Sequence, residues 1–261
     1  MDFPRALRDR RTRLRLSQLD LALRAGTTQR HLSFIESGRS APGRLMVVRL
    51  AESLELPLRE RNDLLLAAGY APAYPEGSID GPELAPVRAA IDRILYGHLP
   101  YPALVVDRAG DLVASNSAFG LLTEGAAPEL VGPGRNVYRL ALHPDGLAPR
   151  IRNLSEWGRH ILAGLGHLKE LRDELAGYVP GPDHSSGQLG FAVPLQLRSS
   201  LGDLRLMTTV TTFATAVDVT LAELRLEAFL PADQETADAL ASAARQTIPA
   251  GPAPGQAPGN M

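Results

Sequence analysis

The stretch LSQLDLALRAGTTQRHLSFIESGRSAP, residues 16–42, constrains the fold of this chain more than any other. Ser17 and Thr28 stand where a hydroxyl can accept from the free amides that begin a helix, and Gly26 and Gly38 stand where the chain leaves one. Small Ala22 lets two short helices approach closely, and Leu32 and Ile35, three apart, give the second an inner face. Two capped helices joined by a tight turn at Ala25-Gly26 make a helix-turn-helix. Its first helix braces on duplex DNA and its second offers N-terminal residues to the major groove. Gln29, Arg30 and Ser33 project away from Leu32 and Ile35 and suit base edges, glutamine pairing with adenine and arginine with guanine. Gln18, Thr28, Arg39 and Arg44 are expected to meet phosphates, which fix register without reading sequence.

The charge distribution agrees. Residues 1–75 hold thirteen arginines and eight carboxylates, a balance of +5, whereas the rest of the chain carries fourteen basic and twenty-one acidic residues, a balance of −7. A basic first quarter is the footprint of a surface that meets phosphate, and an acidic remainder resists lying along nucleic acid. With no cysteine in 261 residues, disulfides, thiolate metal sites, cysteine nucleophiles and thiol redox switches are excluded. No apolar run approaches the roughly 18 residues of a membrane span, and MDFPRALRDRR is too charged for a secretion signal. A cytoplasmic protein with no membrane partner is therefore expected.

The pattern predicts a multidomain chain, α and then α+β. Five short helices fill residues 1–70: one around Leu7, the capped pair, a fourth after Pro42 and a fifth after Pro57. A linker rich in proline and glycine follows over residues 71–83. Residues 84–240 form a second domain, opening with a helix from Leu84 to Leu95. PALVVDRAGDLVASN reads as a β-hairpin turning over Arg108 to Asp111, followed by a helix through Phe119. Leu154, Trp157, Ile161, Leu165, Leu168 and Leu175 mark an amphipathic helical region broken by Gly164 and Gly166. Three strands are expected at Leu189–Leu197, Leu204–Phe213 and Val217–Leu230. In the last, Leu224, Leu226 and Ala228 alternate with Glu223, Arg225 and Glu227, as in a sheet with one buried face. Residues 241–261 read as a disordered tail, low in complexity from Ile248 onward.

QRHLSFIESGRSAP followed by RLAESLELPLRERNDLLLAAGYAPAY resembles the XRE-family helix-turn-helix regulators and, more specifically, their MmyB-like members. The resemblance continues through YPALVVDRAGDLVASN, LHPDGLAPRIRNLSEW and VTTFATAVDVTLAELRLEAFLPAD. It implies an N-terminal five-helix bundle joined to a PAS-like antiparallel sheet with covering helices, and Gln29 and Arg30 as the base-reading pair. It also implies a small apolar ligand of fatty-acid type between sheet and helices. Thr27 stands where the family usually has a small apolar residue. ILAGLGHLKELRDELAGYVPGP is shorter than the family's usual insert, which shortens the wall over the pocket, and the turn at Arg108–Asp111 lacks the aromatic commonly found there.

The candidate ligand-binding residues are Phe119, Leu140, Trp157, Ile161, Met207 and Phe213 as apolar wall, with Asn116, Asn136, Arg139 and His143 as polar anchors. Half-sites one helical turn apart predict a homodimer on double-stranded DNA. A second reading is a DNA-binding scaffold whose C-terminal domain only dimerises or binds a protein partner. An enzyme is the weakest reading. The sequence has no G-x-S-x-G elbow, Walker loop or G-x-G-x-x-G, and His160 and His167 lack a third ligand. No catalytic residue, metal or cofactor is therefore expected.

Overall fold

The computed structural model describes residues 2–181, 193–213 and 216–247. In chain order, α1 (Phe3–Arg13), α2 (Gln18–Arg24), α3 (Gln29–Glu36), α4 (Arg44–Ser53), α5 (Leu58–Ala67) and α6 (Ala85–Gly97) precede the hairpin β1 (Ala103–Val106) and β2 (Leu112–Ser115). Four helices follow: α7 (Phe119–Leu122), α8 (Val137–Leu142), α9 (Leu154–Gly164) and α10 (Lys169–Ala176). Then come β3 (Leu195–Ser199), β4 (Gly202–Thr212), α11 (Val219–Glu223), β5 (Arg225–Pro231) and α12 (Gln234–Thr247). The chain divides into two compact units, one of Met1–Ala85 with Phe213–Glu223, the other of Pro86–Thr212 with Leu224–Met261.

The first unit is the five-helix bundle with two additions. Ser17 and Asp20 form a reciprocal capping box that starts α2, Gly26 turns the chain at φ +64°, and the Thr28 hydroxyl accepts from His31 N to start α3. Leu7, Leu21, Leu32, Ile35, Leu50 and Leu64 are fully buried, each contributing roughly 1.5–3 kcal/mol by leaving water. Leu19, Leu23 and Leu45 lie on exposed faces instead, so the inner side of α2 is Leu21 and Ala22.

The start of the segment expected as the linker, residues 71–83, is held against α5. The Asn62 carboxamide accepts from Ala73 N and Tyr74 N and donates to Tyr74 O at 2.8 Å, and Arg61 lies over the Tyr74 ring. Asn62 thereby satisfies two amides and one carbonyl of this stretch.

The second addition corrects the expected strand from Val217. Only Arg225–Pro231 is strand, because the Asp218 carboxylate accepts from Leu221 N and caps α11, overriding the β-branched Val217 and Val219. Val219 N donates to Pro75 O at 2.8 Å and the Thr220 hydroxyl to Gly77 O at 2.6 Å. Arg59 on α5 forks onto Glu223 at 2.8 and 2.9 Å and reaches Glu76 at 2.6 Å. Those two carboxylates hold its guanidinium above its ordinary pKa, the Glu223 bonds being the larger cause.

The second unit is built on a five-stranded antiparallel sheet of order β2-β1-β5-β4-β3. Leu104 pairs with Glu227, Thr208 with Phe229, and Leu195 with Leu206, so these side chains share one face. A continuous apolar core joins that face to α7, α8, α9 and α10. Gly110 sits at φ +84° in the hairpin turn with the Tyr138 ring where a Cβ would lie, so no other residue fits there.

Two further differences from the sequence reading concern β5 and the C-terminal end, and between them the amphipathic region follows its expected break. The alternation in β5 does not separate a buried from a solvent face: Leu226 and Ala228 are buried on one side, while Glu227 and Phe229 face the core on the other. The amphipathic region splits into α9 and α10 at the expected glycines. Residues 241–247, assigned to the tail, continue α12, whereas 248–261 and 189–192 lie outside the described residues.

Candidate functional sites

The N-terminal half of α3 is the exposed element of the helix-turn-helix. Gln29 and Arg30 are exposed at its start, Ser33 is half-buried one turn on, and Leu32 and Ile35 are buried beneath them. The Arg30 guanidinium lies 5.4 Å from the centre of the Phe34 ring and Arg39 6.0 Å from it, so one aromatic ring supports two cations. Arg44, at the start of α4, is exposed. Thr28 is exposed with its oxygen already accepting as the cap, which leaves its hydroxyl hydrogen for a phosphate. Thr27 meets His31 Nδ1 at 2.9 Å, a polar contact between the turn and α3.

Beneath α3 lies a charged cluster that the sequence reading missed. The Glu36 side chain is fully buried and accepts from Arg11 Nε at 2.6 Å, Arg11 Nη2 at 2.8 Å and Gln18 Nε2 at 2.8 Å. Arg11 also donates to Leu16 O at 2.7 Å, and Arg8 donates to Glu36 O at 3.0 Å. Burial pushes the Glu36 pKa up, but the hydrogen bonds from Arg11 and Gln18 outweigh it and leave the carboxyl below its ordinary value. Gln18, expected at phosphate, thus spends its amide on tying α2 to the end of α3. The signal available in the sequence was a carboxylate one residue after buried Ile35, on the inner face of a helix.

The second candidate site is a cavity of about 40 Å³ between the sheet and α7, α8 and α9. Four of the expected apolar residues, Phe119, Leu140, Trp157 and Ile161, line it, joined by Leu104, Tyr138 and Phe229. Two polar side chains, Thr208 and Glu227, also face it. The buried Thr208 hydroxyl has no hydrogen-bond partner among the described residues. The Tyr138 hydroxyl accepts from Arg225 Nη2 at 3.0 Å. Burial raises the Glu227 carboxyl above its ordinary pKa against the lowering influence of Arg225 and Tyr138, and burial likewise raises the Tyr138 phenol.

The other expected ligand residues lie elsewhere. Asn116 is buried but accepts from Ala103 N and donates to Leu95 O and Tyr101 O. Asn136 caps α8 and bonds Asp111, and Arg139 forks onto Glu174 at 2.8 and 2.7 Å. These two line a separate open cleft with His167 and Lys169. His143 accepts from Asp145 N and stands edge-on to Tyr178. Met207 pairs with Leu230 on the sheet face opposite Thr208, and Phe213 belongs to the first unit. His160 and His167 are both exposed.

A capped helix-turn-helix in one unit and an apolar cavity over an antiparallel sheet in the other define a DNA-binding transcription regulator with a ligand-binding domain. Residues 87–243 match the family model described as the MmyB-like transcription regulator ligand binding domain, and residues 7–61 match the Helix-turn-helix model. The chain belongs to the MmyB-like transcription regulators. The helix-turn-helix implies DNA as a partner and the second domain a small-molecule ligand, and both families are regulator domains rather than enzymes. No curated protein matches the chain. It is similar to a solved structure described as "Structure of an RNA-binding Light-Oxygen-Voltage Receptor", at 17% identity and a TM-score of 0.29. That match covers 92% of this chain and 61% of the receptor, so the chain spans less than two thirds of its length. Among the described residues, no helix is long and apolar enough to cross a membrane.

Proposed function

We propose that the protein is a homodimeric, sequence-specific transcriptional regulator whose operator binding is modulated by a small, largely apolar ligand held in the cavity of the second unit. Gln29, Arg30 and Ser33 read bases, and Thr28, Arg39 and Arg44 hold phosphates. The observation that carries the coupling is the path of the chain. β4 and β5 supply Thr208, Glu227 and Phe229 to the cavity, and the segment connecting those two strands, Phe213–Glu223, is part of the DNA-binding unit through Arg59, Glu76 and Pro75. A ligand that shifts β4 against β5 therefore pulls on α5 through a forked ion pair. It alters operator affinity only if it binds the two states of that connection unequally.

The test is native mass spectrometry of the full chain purified from its own host, followed by operator titration of the loaded and stripped protein. A retained small molecule on a two-copy assembly, with loaded and stripped forms differing in operator affinity, is the expected result. Arg59→Ala is expected to keep operator binding while erasing most of that difference. Equal affinities of the loaded and stripped wild-type forms would leave a scaffold role for the second domain.

A further inference from the structure

The outer side of α3 carries an aromatic ring. At about 100° per residue, Leu32, Ile35 and Glu36 share the inner face of this helix, and all three are buried. Arg30 and Phe34, one turn apart, straddle the line opposite them. Phe34 is half-buried and does not pack in the apolar core of the helical unit. Its neighbours on the outer side are cations, the Arg30 guanidinium 5.4 Å and the Arg39 guanidinium 6.0 Å from the ring centre. An apolar surface thus stands among positive charges on the face of α3 turned away from the protein.

We propose that Phe34 reads a thymine, its ring packing against the C5-methyl group in the major groove beside the base that Arg30 reads. This rests on the reading of α3 as the helix that enters the groove. The thymine methyl is the one apolar group that base edges expose there, and phenylalanine is among the side chains that match it. The remaining groups on the base edges are donors and acceptors, which a phenyl ring cannot satisfy. Spacing sets the position of the thymine. Four residues of helix advance about 6 Å, and successive base pairs about 3.4 Å. The thymine therefore lies one or two base pairs from the pair that Arg30 reads.

The experiment takes the operator selected by the full chain from a randomised duplex pool and replaces each thymine in turn by deoxyuridine, which lacks only the methyl group. Anisotropy titrations at fixed salt read the affinity. At one thymine per half-site, one or two base pairs from the position whose preference Arg30→Ala relaxes, the replacement is expected to weaken wild-type binding about two- to fivefold, the worth of burying one methyl group. Phe34→Gln, which keeps a good helix former at the position, is expected to bind the thymine and deoxyuridine duplexes equally. Arg30→Ala is expected to retain the discrimination, which separates the methyl contact from the guanine contact. A selected operator with no thymine at that spacing, or a wild-type chain indifferent to deoxyuridine there, overturns the assignment without any variant. Discrimination that survives in Phe34→Gln also overturns it, since another side chain must then meet the methyl group. In each of these cases a base preference relaxed by Arg30→Ala still leaves α3 as the reading helix, whereas an unchanged preference overturns both.

Discussion

Glu36→Ala is expected to destabilise the helical unit by about 3–5 kcal/mol, the cost of breaking a buried ion pair from one side. The Glu36 side chain is fully buried and the Arg11 side chain is only 11% exposed, so truncation strands a guanidinium where water hardly reaches. Gln18 loses its acceptor as well, and with it the tie between α2 and the end of α3. Arg11→Leu combined with Glu36→Leu is expected to cost less than Glu36→Ala alone, because removing both charges avoids the stranded one. Urea unfolding of the full chain, followed by far-UV circular dichroism, measures the loss, and Trp157 emission follows the second unit separately. The pH dependence has a definite sign. Since the folded Glu36 pKa lies below its ordinary value, its contribution is fully present above about pH 4.3 and is lost as pH falls through the lowered folded value. A Glu36→Ala chain as stable as wild type would mean that the cluster is incidental to the fold.

Arg30→Ala is expected to weaken binding to the selected operator by about 1–3 kcal/mol and to relax preference at one base pair. Arg30 is exposed at the start of α3, and the Phe34 ring 5.4 Å away supports its fork. Arg30→Lys is not expected to restore the preference, because an ammonium cannot present two parallel donors to guanine. Arg44→Ala provides the contrast: it should weaken all duplexes alike and reduce the salt slope by about one. Operator selection from a randomised duplex pool, then anisotropy titrations at fixed salt, separates the two behaviours. Unchanged preference in Arg30→Ala would move base reading off this helix.

The helix-turn-helix was legible because its signals are local. Ser17, Gly26 and Thr28 act within four residues of themselves, so caps and turn read directly from spacing. Glu36 was not legible, because its partners Arg11 and Gln18 come from other helices and a carboxylate on an inner face looks like an error until they are in place. In the second unit, four apolar cavity residues could be picked by size and position, yet all four expected polar anchors went astray. Asn116, Asn136, Arg139 and His143 sit at turns and helix ends, where polar side chains serve the backbone or pair at the surface. The polar residues that do face the cavity, Thr208 and Glu227, lie in strands whose alternation suggests solvent; only covering helices on that face reverse the reading. Likewise, Val217–Glu223 looked like strand by composition, and a single capping carboxylate at Asp218 made it helical.

Coupling between the cavity and the DNA-reading unit can be measured without knowing the ligand, because the sole tryptophan stands in the cavity wall. Acrylamide quenching of Trp157 in the full chain, free and saturated with its selected operator, tests the account most directly. If the β4–β5 connection couples the cavity to DNA binding by shifting β4 against β5, operator binding is expected to change the packing around Trp157, because the coupling of the two affinities is reciprocal. The predicted result is a quenching slope that differs between free and DNA-bound protein in the wild type and converges in Arg59→Ala. Identical slopes for free and fully DNA-bound wild-type protein would contradict it.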